Sequence, residues 1–318
     1  MSLHVQDPGL LTTVQDLGRY GYSHLGISPG GAADSLAMRI ANLLVGNPEN
    51  AATLEMTLAG ATLEFDEESI VALSGGECDC RINGDTAPMW QAMRVPARGI
   101  LTCGAMKTGP RLYLGIQGGL DVQPIMGSAS TNMAGHFGGF EGRGLRKGDL
   151  LGVRRGPNSR LPTLKPGAVD GLYSREPLRV TRGAQHHWFG LEAFGKLLSC
   201  PYTVSEQSNR SGLRLKGESI SPRVRSQLLT EGVSLGAIQV PQDEQPIILF
   251  VDQQTTGGYP KIANVIAADL YRVGQLRPRE QVRFIEVVIP RAIDLLREQE
   301  EWLKQIFQSQ RNRYTDRS

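Results

Sequence analysis

The 318-residue chain has few of the features that assign a protein at sight. No stretch approaches the ~20 consecutive apolar residues of a membrane-spanning helix. Residues 1–25 show no basic start followed by an apolar run, so no secretory leader is expected and the expected location is cytoplasmic. Cysteine is scarce: Cys78, Cys80, Cys103 and Cys200 are expected to be free thiols. Cys78-Asp79-Cys80 is too tight for the usual zinc spacing and no His-x3-His partner follows, so no metal is expected. Charge of one sign is lacking too. The 34 Lys and Arg against 32 Asp and Glu give a formal charge of +2, which selects for neither nucleic acid nor a membrane surface. There is no GxxxxGK(S/T) phosphate loop, strand-linked GxGxxG, HExxH or GxSxG elbow.

Glycine, by contrast, is abundant: 38 residues spread over the whole chain, well above the usual ~7%. That composition suits many short strands joined by tight turns. Asp34 can cap a helix over 35–45, in which apolar residues recur at 36, 37, 40, 41, 43 and 44. Gly46 and Asn47-Pro48 end it. The period then changes to two. Thr53 to Leu58, Ala61 to Phe65, Ser69 to Ser74, Cys78 to Ile82, Gly99 to Cys103 and Arg111 to Ile116 read as consecutive strands, following an earlier one over 10–15. A barrel or sandwich is expected, mainly β with a few helices.

Arg154, Arg155, Gly156, Pro157, Asn158, Pro162, Pro166, Gly167 and Pro177 mark a linker. The expected domains are 1–160 and 177–318, with 161–176 between them. Strands resume at Leu178 to Thr181, Tyr202 to Ser205, Ile247 to Val251 and Val282 to Val288. A last helix starts near Pro290. Ile293, Leu296, Leu303, Ile306 and Phe307 give it one apolar face, expected to dock on the second domain. Arg311, Arg313 and Arg317 read as its solvated end. A faint echo links the halves. Arg19-x-Gly21-x4-Gly26 recurs as Arg210-x-Gly212-x4-Gly217, and Ile40-Ala41-Asn42 as Ile262-Ala263-Asn264.

Two segments concentrate chemistry. The first, Gln15 to Asn47, places Asp16, Arg19 and five glycines (18, 21, 26, 30, 31) in one loop before a helix N-terminus. Such a loop can bring backbone N–H groups and a guanidinium to an anion. The same residues also fit an internal Asp16–Arg19 ion pair with Asp34 as a helix cap. The second, Gln239 to Asp269, ends the apolar strand Ile247 to Val251 in Asp252-Gln-Gln-Thr-Thr-Gly-Gly-Tyr-Pro260. Amide and hydroxyl side chains there suit reading a small amide such as a lactam. Ser208-Asn209-Arg210-Ser211-Gly212 adds a second arginine. His186 and His187 are adjacent, and on a strand would point to opposite faces.

These segments resemble a known family. Thr12 to Gly21, Gly31-Ala-x-Asp34 and Ala41-Asn42-x-x-x-Gly46-Asn47 are similar to the start of the biotin-dependent carboxyltransferase-like family, which takes in KipA and the 5-oxoprolinase component PxpC. Gly118-Gly119-x-Asp121, Met126-Gly127-Ser128-x-Ser130-Thr131 and Gly138-Gly139-x-x-Gly142-Arg143 continue the likeness. Ser208-Asn209-Arg210, Gln239-Val-Pro241 and Asp252-x-Gln254-Thr-Thr-Gly-Gly-Tyr-Pro260 complete it. Three turns depart from the pattern: Gly183-Ala-Gln185, Gln242-Asp243-Glu244, and Pro278-Arg279-Glu280, which lacks the glycine usual after proline.

The resemblance implies two cyclophilin-like β-barrel domains and a C-terminal helix. It implies a KipI-like partner (PxpB), a further partner (PxpA), and a joint reaction of 5-oxo-L-proline, ATP and water giving L-glutamate, ADP and phosphate. ATP is the expected cofactor, with any Mg on a partner protein. No biotin is expected on this chain, because Ala105-Met106-Lys107-Thr108 lacks the second Met of an attachment site. The expected catalytic residues are Asp16, Arg19, Arg210 and Asp252. Asp34, Asn42, Gln239, Gln254, Thr255, Gly257, Gly258 and Tyr259 are expected to bind substrate or nucleotide. The family also allows a carboxyltransferase component of a urea-type carboxylase, or a non-catalytic KipA-like regulator of a KipI-like kinase inhibitor.

Overall fold

The computed structural model describes residues 1–156, 161–224 and 228–308. Pro157 and Asn158 of the expected linker, and the basic cluster Arg311, Arg313 and Arg317, lie outside the described residues. The chain forms two compact units. One is built on Met1–Arg19, Gly30–Asp170 and the chain from Glu301 on, the other on Tyr20–Pro29 and Gly171–Glu300, so the end of the last helix, with Leu303 and Ile306, groups with the first unit and not with the second.

The first unit is antiparallel throughout. One sheet runs in the order Leu150–Gly152, Ser2–Asp7, Thr62–Phe65, Ile100–Met106, Cys78–Ile82, Asp85–Thr86. A second runs Leu11–Gln15, Thr53–Thr57, Arg111–Ile116, Ser69–Gly75, Ala92–Val95. Their inward residues, among them Leu3, Val5, Leu54, Met56, Leu63, Phe65, Leu101 and Leu112, make one core. The helix α1 (Ser35–Leu44) buries Leu36, Ala37, Met38, Ile40, Ala41 and Leu44, as its periodicity predicts, and Asp34 caps it through Ala37 N–H at 2.9 Å. Its backbone lies close to the second sheet. Ser74 Oγ donates to Ala37 O at 2.7 Å, and a Cβ at Gly115 would fall 2.7 Å from Ala41 O, so only glycine fits that strand position.

The second unit holds an eight-stranded sheet. Its order is Gln281–Val282, Tyr202–Val204, Gly212–Lys216, Ile247–Leu249, Ala237–Gln239, Lys261–Val265, Leu178–Arg182, Phe284–Glu286. The first and last of these strands are separated in the chain only by Arg283. A single run therefore supplies both edges, and the sheet curls into a nearly closed barrel, which removes exposed edges. This is why the expected continuous strand from Val282 to Val288 is split at Arg283. A two-stranded ribbon, Glu231–Gly232 with Thr256–Gly257, stands beside it. Tyr271 and Arg272 tie the segment before Leu178 to this unit through the carbonyls of Leu172 (3.0 Å) and Ser174 (3.0 Å). The helix α2 (Gly190–Ser199) is not marked by the sequence, because it opens on a glycine, carries Gly195 inside and has no capping side chain. A one-turn helix, α3 (Leu270–Val273), follows. The last helix, α4 (Ile289–Gln308), begins where Pro290 predicts, and Gln299 ties it to Ala268 O at 3.0 Å.

Two sequence expectations are corrected. His186 and His187 lie in a 3-10 turn, not a strand, with ring centroids 5.7 Å apart. The echo between the halves is not structural, since Ile40-Ala41-Asn42 is helical whereas Ile262-Ala263-Asn264 is strand.

The unusual turns explain themselves. Glu244 (φ 60°) and Arg279 (φ 73°) both adopt the left-handed conformation that favours glycine. Arg279 is exposed, and its side chain pairs with Glu206, also exposed. Arg279→Gly is therefore expected to stabilise the protein by about 1 kcal/mol, because relief of backbone strain outweighs a surface ion pair. A thermal melt showing a lower midpoint for Arg279→Gly would contradict this.

Candidate functional site

Asp16 follows the strand Leu11–Gln15 and is almost fully buried. Its carboxylate accepts from Gly18 N (2.7 Å), Ser128 Oγ (2.6 Å) and Ser130 Oγ (2.5 Å) on one oxygen, and from Ala129 N (2.6 Å) on the other. Asp16 thus knots the loop Met126–Thr131 to its own turn. Arg19 is buried beside it. Its guanidinium donates to Ser130 O and lies 4.9 Å from the Phe137 ring centroid. Asp34 is fully buried. Its carboxylate caps α1, and its N–H donates to Tyr113 Oη at 2.7 Å, which in turn donates to Glu55 at 2.6 Å. Burial, then the Glu55 charge, push the Tyr113 phenol well above its usual range, so it stays a neutral donor. Asn42 donates to Glu49 O (3.2 Å) and Ala51 O (2.7 Å) and accepts from Asn47. The side chains of Asp16, Asp34 and Asn42 are engaged in holding loops. The Asp34 carboxylate already occupies the N-terminus of α1, so a phosphate does not fit there.

The second segment is arranged differently. The strand Ile247–Leu249 delivers Phe250 and Asp252, whose N–H groups donate to Ser211 O and Arg210 O, both at 3.0 Å. This backbone pairing brings the side chains together. Arg210 Nε meets Asp252 Oδ2 at 2.7 Å and Nη2 meets Oδ1 at 3.3 Å, a forked pair at 11% and 15% exposure. The next residues turn inward. Gln253 is buried and donates to Val233 O at 3.3 Å, while its Oε1 has no hydrogen-bond partner among the described residues. Gln254 donates to Gln239 Oε1 at 3.5 Å, and Gln239, also buried, donates to Tyr259 O at 3.4 Å. A Cβ at Gly257 would lie 2.7 Å from Gln239 Nε2, so any larger residue there displaces the Gln239 amide. Val233 N–H donates to Thr255 O at 3.1 Å. Gly258 approaches Leu228 O, and Tyr259 is about half exposed.

Sequence reasoning missed the charge beside this loop. Lys261 opens the strand Lys261–Val265 directly opposite Gln239 and is buried. Its ammonium pairs with Glu231, on the ribbon strand that faces Gly257. Gln185 closes the ring, donating to Glu231 at 2.8 Å and accepting from Lys261 N at 3.2 Å. The Lys261 hydrogen bond, then that from Gln185, hold the Glu231 carboxyl below its usual range. The available signal was a lysine placed immediately after Tyr259-Pro260 at the head of an apolar strand. Gln185, Gln239, Gln253, Gln254, Glu231 and Lys261 thus form one patch with Arg210–Asp252 at the start of its loop. Such a patch can hold an amide by both its carbonyl and its N–H. All of these groups lie within the second unit, whereas Asp16, Arg19, Asp34 and Asn42 belong to the first.

The family model of the carboxyltransferase domain, subdomain A and B, matches residues 25–286, and the chain belongs to that family. Among particular relatives, it is similar to the C subunit of 5-oxoprolinase from Escherichia coli, 38% identical over 300 residues, which span 94% of this chain and 95% of that protein. It is 35% identical to the C subunit of 5-oxoprolinase from Haemophilus influenzae, covering 92% and 94% of the two chains. The solved urea amidolyase of K. lactis superimposes with a TM-score of 0.91 at 31% identity over 96% of this chain, but this chain spans only 20% of that one. Among the described residues no helix is long and apolar enough to cross a membrane.

Proposed function

We propose that the chain is the C subunit of an ATP-dependent 5-oxoprolinase, acting with KipI-like PxpB and with PxpA on 5-oxo-L-proline. The observation that carries this reading is the near end-to-end correspondence with relatives named as C subunits of 5-oxoprolinase. The patch in the second unit supplies the chemistry. Gln239, Gln254 and Thr255 orient the lactam, and Gln253 Oε1 is an acceptor for its ring N–H. Lys261 and Arg210 attract the substrate carboxylate and the charge that develops when the ring amide opens. Asp252, oriented by Arg210, is the base that takes a proton from the attacking water. ATP is assigned to a partner protein, since α1 offers it no open N-terminus and the chain has no phosphate loop.

A carboxyltransferase role is favoured by the carboxyltransferase-domain family model and by the TM-score with urea amidolyase. The identity with the 5-oxoprolinase relatives is higher, and those proteins match this chain in length. The test uses the assembled three-protein mixture with ATP and 5-oxo-L-proline, with L-glutamate as the readout. The double variant Arg210→Ala, Asp252→Ala is expected to lose at least about 100-fold in rate. Full activity in that variant would overturn the site.

A further inference from the structure

The amide chemistry of the second unit leaves three cysteines of the first unit unused. Cys78 and Cys80 sit on one strand and Cys103 on its neighbour. Residues two apart on a strand share a face, and Cys78 Sγ lies 3.1 Å from Cys80 Sγ. Cys80 stands directly opposite Cys103, with a bulge between Cys78 and Cys80. The backbone defines what kind of pair this is. Cys103 N–H donates to Ala61 O on one side, and Cys80 O accepts from Ala87 N on the other. Both residues therefore turn their peptide groups away from each other. They form a non-hydrogen-bonded pair, whose Cα separation of about 4.5 Å lies in the range a disulfide spans. Cys80 and Cys103 are 3% exposed, while Cys78 is half-buried and so remains accessible to a small reagent.

We propose that Cys78, Cys80 and Cys103 form a thiol oxidation site for a small hydroperoxide, with Cys78 as the attacking sulfur and the cross-strand Cys80–Cys103 disulfide as the product. The thiolate of Cys78 attacks one peroxide oxygen. An S–O bond forms, the O–O bond breaks, and the departing oxygen takes a proton to leave as water or alcohol. The Cys80 thiol then attacks the sulfenic sulfur. An S–S bond forms, the S–O bond breaks, and hydroxide leaves as water with the proton of Cys80. Attack of Cys103 on Cys80 moves the bridge across the strands and releases Cys78 with the proton of Cys103. Two thiols are oxidised and one peroxide is reduced. Hydrogen bonds from Cys103 and then Cys80 hold Cys78 well below the usual thiol range against its burial and, less, the charge of Asp79, which is itself paired with Lys107. The same hydrogen bonds push Cys103 up.

The experiment treats the folded full chain with one equivalent of hydrogen peroxide, blocks remaining thiols, and maps tryptic peptides without reduction. The expected product joins the peptide ending at Arg81 to the peptide Gly99–Lys107, with Cys200 still free to alkylate. Cys78→Ser is expected to slow bridge formation by at least about tenfold. Cys103→Ala is expected to leave the bridge between Cys78 and Cys80 within one peptide. Sulfinate on Cys78 without a disulfide, oxidation of Cys200 as fast as Cys78, or a wild-type rate in Cys78→Ser would each overturn the proposal.

Discussion

Lys261→Met is expected to lower ATP-dependent glutamate formation by the assembled enzyme about 100-fold or more, with most of the loss in turnover rather than in KM. The lysine is buried among glutamines and held in place by Glu231, so its charge is fixed where the substrate would sit. A cation placed where negative charge grows in the transition state is worth about 3–4 kcal/mol when removed. The same substitution is expected to change stability little. Methionine keeps the length and apolar stem of lysine, and Glu231, left behind, is 41% exposed and stays solvated. The pairing of a large kinetic loss with a small shift in the melting midpoint is the diagnostic. A variant that melts early and retains its rate per folded molecule would make Lys261 a structural residue.

Asp16→Ala is expected to have the opposite profile. Its carboxylate is the acceptor for four donors, two of them backbone N–H groups, and it is nearly sealed from water. Removing it strands those donors, at a cost of about 3–5 kcal/mol and a fall of roughly 10 °C in the first unit's melting midpoint. Asp16→Asn is expected to rescue little of this. Its amide nitrogen would replace an accepting oxygen, setting donor against donor at Ala129 N–H or at the two serine hydroxyls and Gly18 N–H. If Asp16 were instead a catalytic base with no architectural role, Asp16→Asn would melt like the wild type and lose its activity.

The contrast between these residues shows how far the sequence could be read. Period-two strands and the capped helix after Asp34 were legible because their signals are local: alternation, apolar faces, an accepting side chain three residues from its N–H donor. The barrel closure was not legible. It depends on Gln281–Val282 and Phe284–Glu286 pairing with strands about 80 and 106 residues away on opposite sides, which no local pattern encodes. Arg210 and Asp252 were singled out from their glycine-rich surroundings, and the structure pairs them through backbone hydrogen bonds between two loops. Asp34 and Asn42 drew attention by the same polarity, yet their side chains cap a helix and brace a loop. Sequence cannot separate those cases, because a polar side chain in a loop looks alike whether its partner is a ligand or a peptide group. Lys261 was overlooked for the converse reason. A lysine at the head of an apolar strand reads as a snorkelling edge residue until the ribbon carrying Glu231 is seen beside it.

The most direct measurement mixes this chain with the KipI-like and PxpA-like proteins proposed to act with it and follows L-glutamate and phosphate from 5-oxo-L-proline and ATP, with and without the chain. Equal amounts of glutamate and phosphate are expected only in the complete mixture, with no requirement for biotin. Undiminished glutamate formation when this chain is omitted, or a complete mixture that is inert with 5-oxo-L-proline, would contradict the assignment.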